Sequence, residues 1–383
     1  MKGICVGCGE KLQIPPIYIL RNMPSVAQDL PTKEMLDSDK TIDLALCQCS
    51  KCGMVQLDCE SVDYYKNSTR ASERGKTLVD LRREDYKYFI ETYQLQGKKI
   101  LEVGAGKGGF LKTLQEMGEY HVKGYGLENN LEYTHYAKEN YGVEVFCGDP
   151  ENPELKVPNA PYDAFMSFSY LARLVHPNEM IQMVSNNLSD DGIGYVMEPN
   201  LEHLLTPTGF FDVTRDLISY YSLDTLKFLF QKNNFDIIDS GCRLGYYVYV
   251  VVKKRKKIKL DECWIHSENL ISQVKEFVKD EINKNRSIAV WCAGHFAMTV
   301  LSVAGIGENI SYIIDNAEFK KGRYASGSKV LIVGPEHFRE NPVDTIMILG
   351  PIYIDEIMEE IQEKCSKVNK IVTISMNGIH KVN

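Results

Sequence analysis

The rhythm of apolar and polar positions changes three times along the chain. Residues 1–65 carry few periodic apolar runs, and prolines punctuate "QIPPIYILRNMPSVAQDLPT". Sparse regular structure is expected there. From about 66 to 95 the rhythm is helical. "TLVDLRREDYKYFIETYQL" repeats apolar residues at three- and four-residue spacing, one face of an amphipathic helix. From 97 to 250, opening on the buried-strand run "KKILEVG", strand and helix signals alternate. Beyond "KKRKKIKL" a helical stretch, "NLISQVKEFVKDEINKN", leads into the strand runs "SIAVW", "ISYIIDN" and "VDTIMILG". Strands separated by helices predict parallel sheets with helices packed on them. The expectation is an α/β chain in three parts, 1–65, 66–250 and 251–383. Two stretches echo each other. "KKILEVGAGKGGFLKTL" and "RSIAVWCAGHFAMTVL" each read strand, glycine turn, helix, with Glu128 and Asp315 near the end of the strand that follows. Two related folds in one chain are suggested.

Only "SIAVWCAGHFAMTVLSVAGI", Ser287 to Ile306, has the length of a membrane-spanning helix. Gly294 and His295 interrupt it where a strand-to-helix turn would fall, so a buried strand, a glycine loop and an apolar helix fit better. The N-terminus lacks the apolar run of a signal peptide, and a cytoplasmic protein is expected. With 383 residues the chain can hold two or three domains. A net charge of -8 argues against a general nucleic-acid binder. The basic run "VVKKRKKIKL" reads equally well as an exposed edge strand guarded by lysines.

Six of the 11 cysteines precede residue 60. The pairs "CVGC" (Cys5, Cys8) and "CSKC" (Cys49, Cys52) can set four thiolates around one zinc. Gly9 and Gly53 follow the knuckles and permit tight turns. Four protein ligands leave no open coordination position, so the zinc is expected to be structural, stabilising a lobe too small to fold on apolar burial. Cys47 and Cys59 lie off the pattern.

"ILEVGAGKGGFL" places Glu102, Gly104, Gly106 and Gly108 at the end of the first strand of the middle part. The glycines allow a tight turn and close approach of a ligand. Glu128, in "KGYGLENN", falls at the end of the second strand, where a carboxylate can accept both ribose hydroxyls of an adenosine. Asp149, in "VFCGDP", ends the third, near an adenine amino group. Ser167 ends the fourth, in "YDAFMSFSY". An acid preceding a Gly-x-Gly-x-Gly loop fits S-adenosylmethionine (SAM) better than a dinucleotide, whose pyrophosphate would be repelled by Glu102.

The whole chain resembles the three-domain SAM-dependent methyltransferases of nucleotide-linked deoxysugars, the sugar C-methyltransferase type. The resemblance rests on the ordered set "CVGC"/"CSKC", "CGMVQL", "LEVGAGKGGFL", "VMEPN", a segment ending "SYYS", and "YIIDNAEFKKGRY". It implies a central Rossmann-like SAM domain, an N-terminal zinc-binding lobe and a C-terminal Rossmann-like α/β lobe. The implied partner is a small nucleotide-sugar substrate. No nucleic-acid or membrane partner is expected, and the oligomeric state is left open.

In that family the segment before "SYYS" carries Tyr-His-Glu-His, with a histidine taken to deprotonate the sugar carbon beside a ketone. Here Thr214, Arg215, Asp216 and Leu217 occupy those positions. Leu217 accepts no proton. Asp216 remains as a carboxylate base, Arg215 can hold an anion, and His176 in "ARLVHPNE" is a second candidate base. Tyr220 and Tyr221 can stack on a ring or bond a diphosphate. Glu198 and Asn200, in "VMEPN", end the fifth strand on the substrate side. In the last part, Gly294 and His295 could meet a diphosphate at a helix start, with Lys321 and Arg323 assisting. Deprotonating a hydroxyl demands less of a base than deprotonating carbon. The leading expectation is therefore methyl transfer to oxygen or another heteroatom of a nucleotide-linked sugar or related glycan precursor. The alternatives are C-methylation of a keto-deoxysugar nucleotide and a catalytically silent SAM- and nucleotide-sugar-binding protein.

Overall fold

The structure is a computed structural model that describes residues 3–28, 30–62, 75–256, 258, 260–365, 368–375 and 377–382. The expected boundary at 65/66 lies outside the described residues. The chain divides into two compact units, Met1–Lys256 and Lys257–Asn383.

The first unit begins with strands β1 (Tyr18–Pro24), β2 (Thr41–Gln48) and β3 (Val55–Leu57). The segment expected to be sparse in regular structure thus forms antiparallel ladders, β1 on β2 and β2 on β3. Helix α1 (Lys76–Thr92) buries Asp85, Tyr86, Phe89 and Ile90 on one face, the face its apolar spacing defines. Next come β4 (Lys99–Val103), α2 (Gly109–Glu116), β5 (Lys123–Glu128), α3 (Leu131–Tyr136), β6 (Val145–Cys147), β7 (Tyr162–Phe168), α4 (Pro177–Asn187) and β8 (Leu188–Pro199). The unit closes with α5 (Leu201–Leu204), β9 (Ser219–Tyr220), α6 (Leu223–Lys232), β10 (Phe235–Arg243) and β11 (Tyr247–Lys254). Helix α6 starts where its sequence says it should. Ser222 and Thr225 exchange side-chain-to-amide bonds of 3.2 and 3.0 Å in a capping box, a device that stabilises a helix by about 1 kcal/mol.

The central sheet runs β10-β11-β8-β7-β4-β5-β6. Strands β8, β7, β4, β5 and β6 are parallel, and β11 and β10 are antiparallel additions. The direction of winding reverses between β4 and β7, which opens a crevice beyond their carboxyl ends. The run "VVKKRKKIKL" is not an edge strand in its structured part. Val251 to Lys254 belong to β11, paired on both sides, and Val251 and Val252 are fully buried. The antiparallel hairpin makes β10 the edge instead.

Strand β9 does not join the central sheet. It pairs antiparallel with β3, giving the N-terminal sheet the order β1-β2-β3-β9. Residues 219–220 thereby complete a sheet whose other strands lie more than 160 positions earlier in the chain.

The second unit contains α7 (Leu260–Asn283), β12 (Ile288–Trp291), α8 (His295–Ala304), β13 (Ile313–Ile314), β14 (Ile332–Val333), α9 (His337–Glu340), β15 (Thr345–Ile348), α10 (Ile354–Lys364), β16 (Lys370–Ser375) and β17 (Gly378–Lys381). Its sheet runs β14-β13-β12-β15-β16-β17, with only β17 antiparallel. The stretch 287–306 is a buried strand, a turn at 292–294 and a helix, and among the described residues no helix is long and apolar enough to cross a membrane.

Candidate active site

The glycine loop leaves β4 at the winding reversal. Gly104, Gly106 and Gly108 have φ of 77°, 54° and 80°, the left-handed region that side chains rarely adopt. At Gly104 space is also decisive. A Cβ there would meet the Tyr170 ring at 2.5 Å. A Cβ at Gly108 would meet Val143 and Ala137 below 3.0 Å. Glu128, at the end of β5, accepts the Gly106 amide at 2.9 Å and the Asn130 amide at 3.2 Å. It therefore shapes the loop. Glu102 is buried at the end of β4, 3.5 Å from the Tyr86 hydroxyl of α1. Ser167 is fully buried at the end of β7, while Asp149 is exposed beyond β6 and accepts the Glu151 amide. Lys107 lies over the Tyr133 and Tyr136 rings of α3. These carboxylates and glycines at the crevice match the donor set that an adenosyl amino acid needs: ribose acceptors, a close backbone approach and an acidic group beside the loop. Tyr86 and Tyr170 were not foreseen. The helical face of α1 holds a signal for the first, but nothing local marks the second.

The loop after β7 stands beside the glycine loop, its Tyr170 ring against Gly104. Glu198, fully buried on β8, takes the amides of Tyr170 and Leu171 on Oε1 at 3.0 and 2.9 Å. Its Oε2 takes the Ala172 amide at 3.2 Å. Burial pushes its carboxyl up and the three amides pull it back, leaving it at about 7. Glu198 was expected to face substrate, but its oxygens are instead turned to the backbone of this loop. Asn200 is likewise occupied, capping α5 through the Glu202 amide and donating to the Gly245 carbonyl.

The segment 214–221 packs against that loop. Ile218 donates its amide to the Ala172 carbonyl at 2.7 Å and receives the Leu57 amide on its own carbonyl at 2.8 Å. The Tyr220 hydroxyl clasps Thr214, donating to its carbonyl at 3.1 Å and accepting its amide at 3.3 Å. Asp216, Ser219 and Tyr221 are buried, and Leu217 belongs to the apolar core. Burial first, and the nearby Glu198 carboxylate with it, push the Tyr221 phenol up. The Arg215 guanidinium turns to the carbonyls of Glu60 and Ser25 at 3.2 and 3.3 Å. His176 precedes α4 with its ring half-exposed, 3.9 Å from the Glu179 carboxylate.

The four cysteines Cys5, Cys8, Cys49 and Cys52 come together, their sulfurs all within 4.8 Å of one another. Cys5 and Cys52 are 3.6 Å apart, Cys8 and Cys49 3.5 Å. Tetrahedral ligation at metal–sulfur distances of ~2.3 Å asks for sulfur separations of about 3.8 Å. The two knuckles share one backbone pattern. The amides of Cys5 and Cys49 go to Glu10 and Met54, and those of Gly9 and Gly53 return to Cys5 and Cys49. Gln56 of β3 braces the first knuckle, accepting the Val6 amide and donating to Ile4. The donor set fits one thiolate-bound metal ion.

In the second unit Asp315 repeats the Glu128 arrangement. Its carboxylate takes the Ala293 amide of the β12 turn at 2.8 Å and the Ala317 amide at 2.9 Å. Lys320 adds an ion pair to the same carboxylate at 2.8 Å. Gly294 and His295 sit at the start of α8, His295 exposed. Lys321 is paired with Glu318 and Glu336, and Arg323 is exposed.

Comparisons with known proteins agree with this geometry. A family model described as a methyltransferase domain matches residues 79–240. The middle of the chain is a SAM-dependent methyltransferase domain. A second model, the C-methyltransferase C-terminal domain, matches residues 265–374. The C-methyltransferase NovU of Streptomyces niveus is 22% identical over 212 residues, 49% of this chain and 50% of that one. The chain thus spans about half the length of the curated relative it matches. Among solved structures, a SAM-dependent methyltransferase from Aquifex aeolicus is 16% identical with a TM-score of 0.37, covering 46% of this chain and 97% of its own. Magnesium protoporphyrin IX methyltransferase from Synechocystis is 13% identical with a TM-score of 0.39, covering 50% and 97%.

Proposed function

We propose that the protein is a SAM-dependent C-methyltransferase acting on a nucleotide-linked keto sugar, with a structural zinc in its N-terminal lobe. The observation that carries this reading is the order of parts in one chain: a four-cysteine cluster, a methyltransferase domain, and a segment matching a C-methyltransferase C-terminal domain. The nucleotide-sugar class rests on the motif resemblance above.

The earlier preference for heteroatom transfer rested on Leu217. That leucine is a core position, so it tells where the base is not, and leaves the reaction type open. Asp216, beside it and buried, is the carboxylate of the segment. When bound, SAM supplies an electrophilic methyl group on a sulfonium. Glu128 and the glycine loop hold its adenosine. Asp216 takes the proton from the carbon beside the ketone, which makes that carbon nucleophilic, and burial keeps water from competing. Four thiolates leave a zinc no place for substrate, so its part is to fix the lobe.

The test is incubation with methyl-labelled SAM and a panel of keto-sugar nucleotides, with the product read by NMR. A labelled methyl bonded to carbon is expected. A methyl on oxygen or nitrogen would restore the heteroatom reading. Binding of both ligands without transfer would make the protein a silent binder.

A further inference from the structure

The first cysteine knuckle is gripped from outside its own lobe. In the first turn of α4, Asn178 donates its side-chain amide to the Val6 and Gly7 carbonyls at 2.8 and 3.2 Å. At the end of α6, the Lys232 ammonium reaches the same Gly7 carbonyl at 2.7 Å and the Asn178 side-chain oxygen at 3.3 Å. Asn233 donates to that oxygen as well, at 2.9 Å. Both ends of the Asn178 amide are thus committed. Among the described residues no carboxylate lies within ion-pair distance of Lys232, so its charge serves the knuckle. Lys51, in the second knuckle, is instead paired with Glu10. Gly7 lies against the cluster. A Cβ there would stand 3.8 Å from the sulfurs of both Cys5 and Cys52. The amides of Gly7 and Cys8 face the Cys5 sulfur. They belong to the same two peptide groups whose carbonyls Asn178 and Lys232 hold.

We propose that Asn178 and Lys232 are positioning residues of the metal site, holding and polarising the two peptide groups that face the Cys5 thiolate. This rests on the structural-metal reading and adds to it two residues of the methyltransferase domain. Four thiolates around a divalent ion leave two negative charges. Cys5 and Cys49 are buried, and buried negative charge is costly unless donors and cations meet it. A cation on a carbonyl draws electron density across the peptide and strengthens the N–H donor at its other end. Asn178 acts on the neighbouring peptide in the same way, as a neutral donor. Partners of this kind behind the ligands orient them and raise the affinity for the metal. The coupling is reciprocal. A metal ion that fixes Cys5 also fixes the grip of the knuckle on α4 and α6.

The experiment is competition for zinc between the full chain and a chromophoric chelator, under reducing conditions. Lys232→Met should weaken zinc binding by about 10–100-fold. Lys232→Arg keeps the charge and should recover part of the loss. Asn178→Leu should lose a comparable amount, and the double variant less than the two losses combined, because the two side chains share a bond. Cobalt(II) in place of zinc gives a second readout. Its thiolate-to-metal charge-transfer band should move to lower energy in Lys232→Met, a change that lost stability alone does not produce. Affinity of the zinc-loaded variants for S-adenosylhomocysteine should stay within about twofold of wild type, the glycine loop being untouched. Unchanged zinc affinity and an unmoved cobalt band in both Lys232→Met and Asn178→Leu overturn the proposal and leave the metal reading standing. Should either variant fold poorly, the other carries the same test. A wild type that holds neither zinc nor cobalt sinks the metal reading, and this proposal with it.

Discussion

Tyr220 lies directly opposite Val55 in an antiparallel ladder, three residues after Cys52. The segment proposed to act on substrate is therefore the outer strand of the cysteine lobe's sheet. Its neighbour Ile218 is bonded on one side to that lobe and on the other to the loop that Glu198 holds. The cysteine cluster, the segment 218–220 and the loop after β7 are joined through a few main-chain bonds.

The first prediction follows from that joint. Protein purified without added metal should carry about one zinc per chain. Chelation under reducing conditions should release the knuckles and with them β3, the template for β9. Hydrogen exchange is expected to rise by about tenfold or more at Val55–Leu57 and Ser219–Tyr220 together, while β4 and β7 stay protected. Faster exchange in the knuckles alone would show that β9 holds its place without the metal.

The second concerns Glu128. It serves the loop through Gly106, and the proposed function gives it the ribose as well. Glu128→Ala should weaken S-adenosylhomocysteine binding by about 1–3 kcal/mol, since hydroxyls and an amide lose their acceptor together. Calorimetry measures it. Unchanged affinity would place the ribose elsewhere.

The parts of the structure that the sequence declares are local. Cys-x2-Cys knuckles, a strand ending in a glycine turn, and the interruption at Gly294–His295 each depend on residues close together in the chain, and each folds as read. What escapes is set by distant partners. Strand β9 is two residues long and has no period to detect; it exists because β3 offers an open edge. Val251–Lys254 looks like a guarded edge until β10 folds outside it. Glu198 looks like a rim carboxylate, because nothing in "VMEPN" says that three amides from residues 170–172 will turn towards it. Arg82 reads as one polar position among several on an amphipathic helix, and only the fold stacks it on Phe168.

Glu198 provides a pH test. Its carboxyl stands at about 7 against an ordinary 4.5. The folded state holds this proton more tightly than the unfolded one. The stability that the proton contributes is complete below about pH 4.5 and lost as pH rises through 7. The loss amounts to about 3 kcal/mol at most. Glu198→Gln cannot ionise, so the difference in unfolding free energy between wild type and variant should drift against wild type from pH 4.5 to 7.5. The variant starts lower in stability by roughly 1–3 kcal/mol, because an amide offers one acceptor where three donors converge. Denaturant titrations at several pH values measure both. Parallel pH profiles would show that burial does not raise the Glu198 carboxyl.

The last prediction concerns Asp216. Two readings compete for it, proton acceptor and structural carboxylate, and Arg215 does not decide between them because it reaches across to Glu60 and Ser25. Asp216→Asn keeps the shape and removes the capacity to take a proton. As a base, Asp216 should be needed for two separate readouts. Turnover should fall by about 10²–10⁴-fold. Solvent deuterium exchange at the sugar carbon beside the ketone, measured with S-adenosylhomocysteine in place of the methyl donor, should fall with it. Affinity for S-adenosylhomocysteine and the melting temperature should hold, since the variant leaves the glycine loop and the Ile218 joint untouched. As a structural carboxylate, it would show the reverse: a lower melting temperature, with exchange and turnover per folded molecule preserved. A variant that still exchanges deuterium but transfers no methyl would place Asp216 after proton removal, in the alignment of the carbon nucleophile. Wild type that methylates carbon without any exchange would mean that the proton stays sequestered on its acceptor until the methyl arrives, which a side chain as buried as Asp216 can do. In that case the variant's turnover alone carries the decision, and an undiminished rate removes Asp216 from the chemistry.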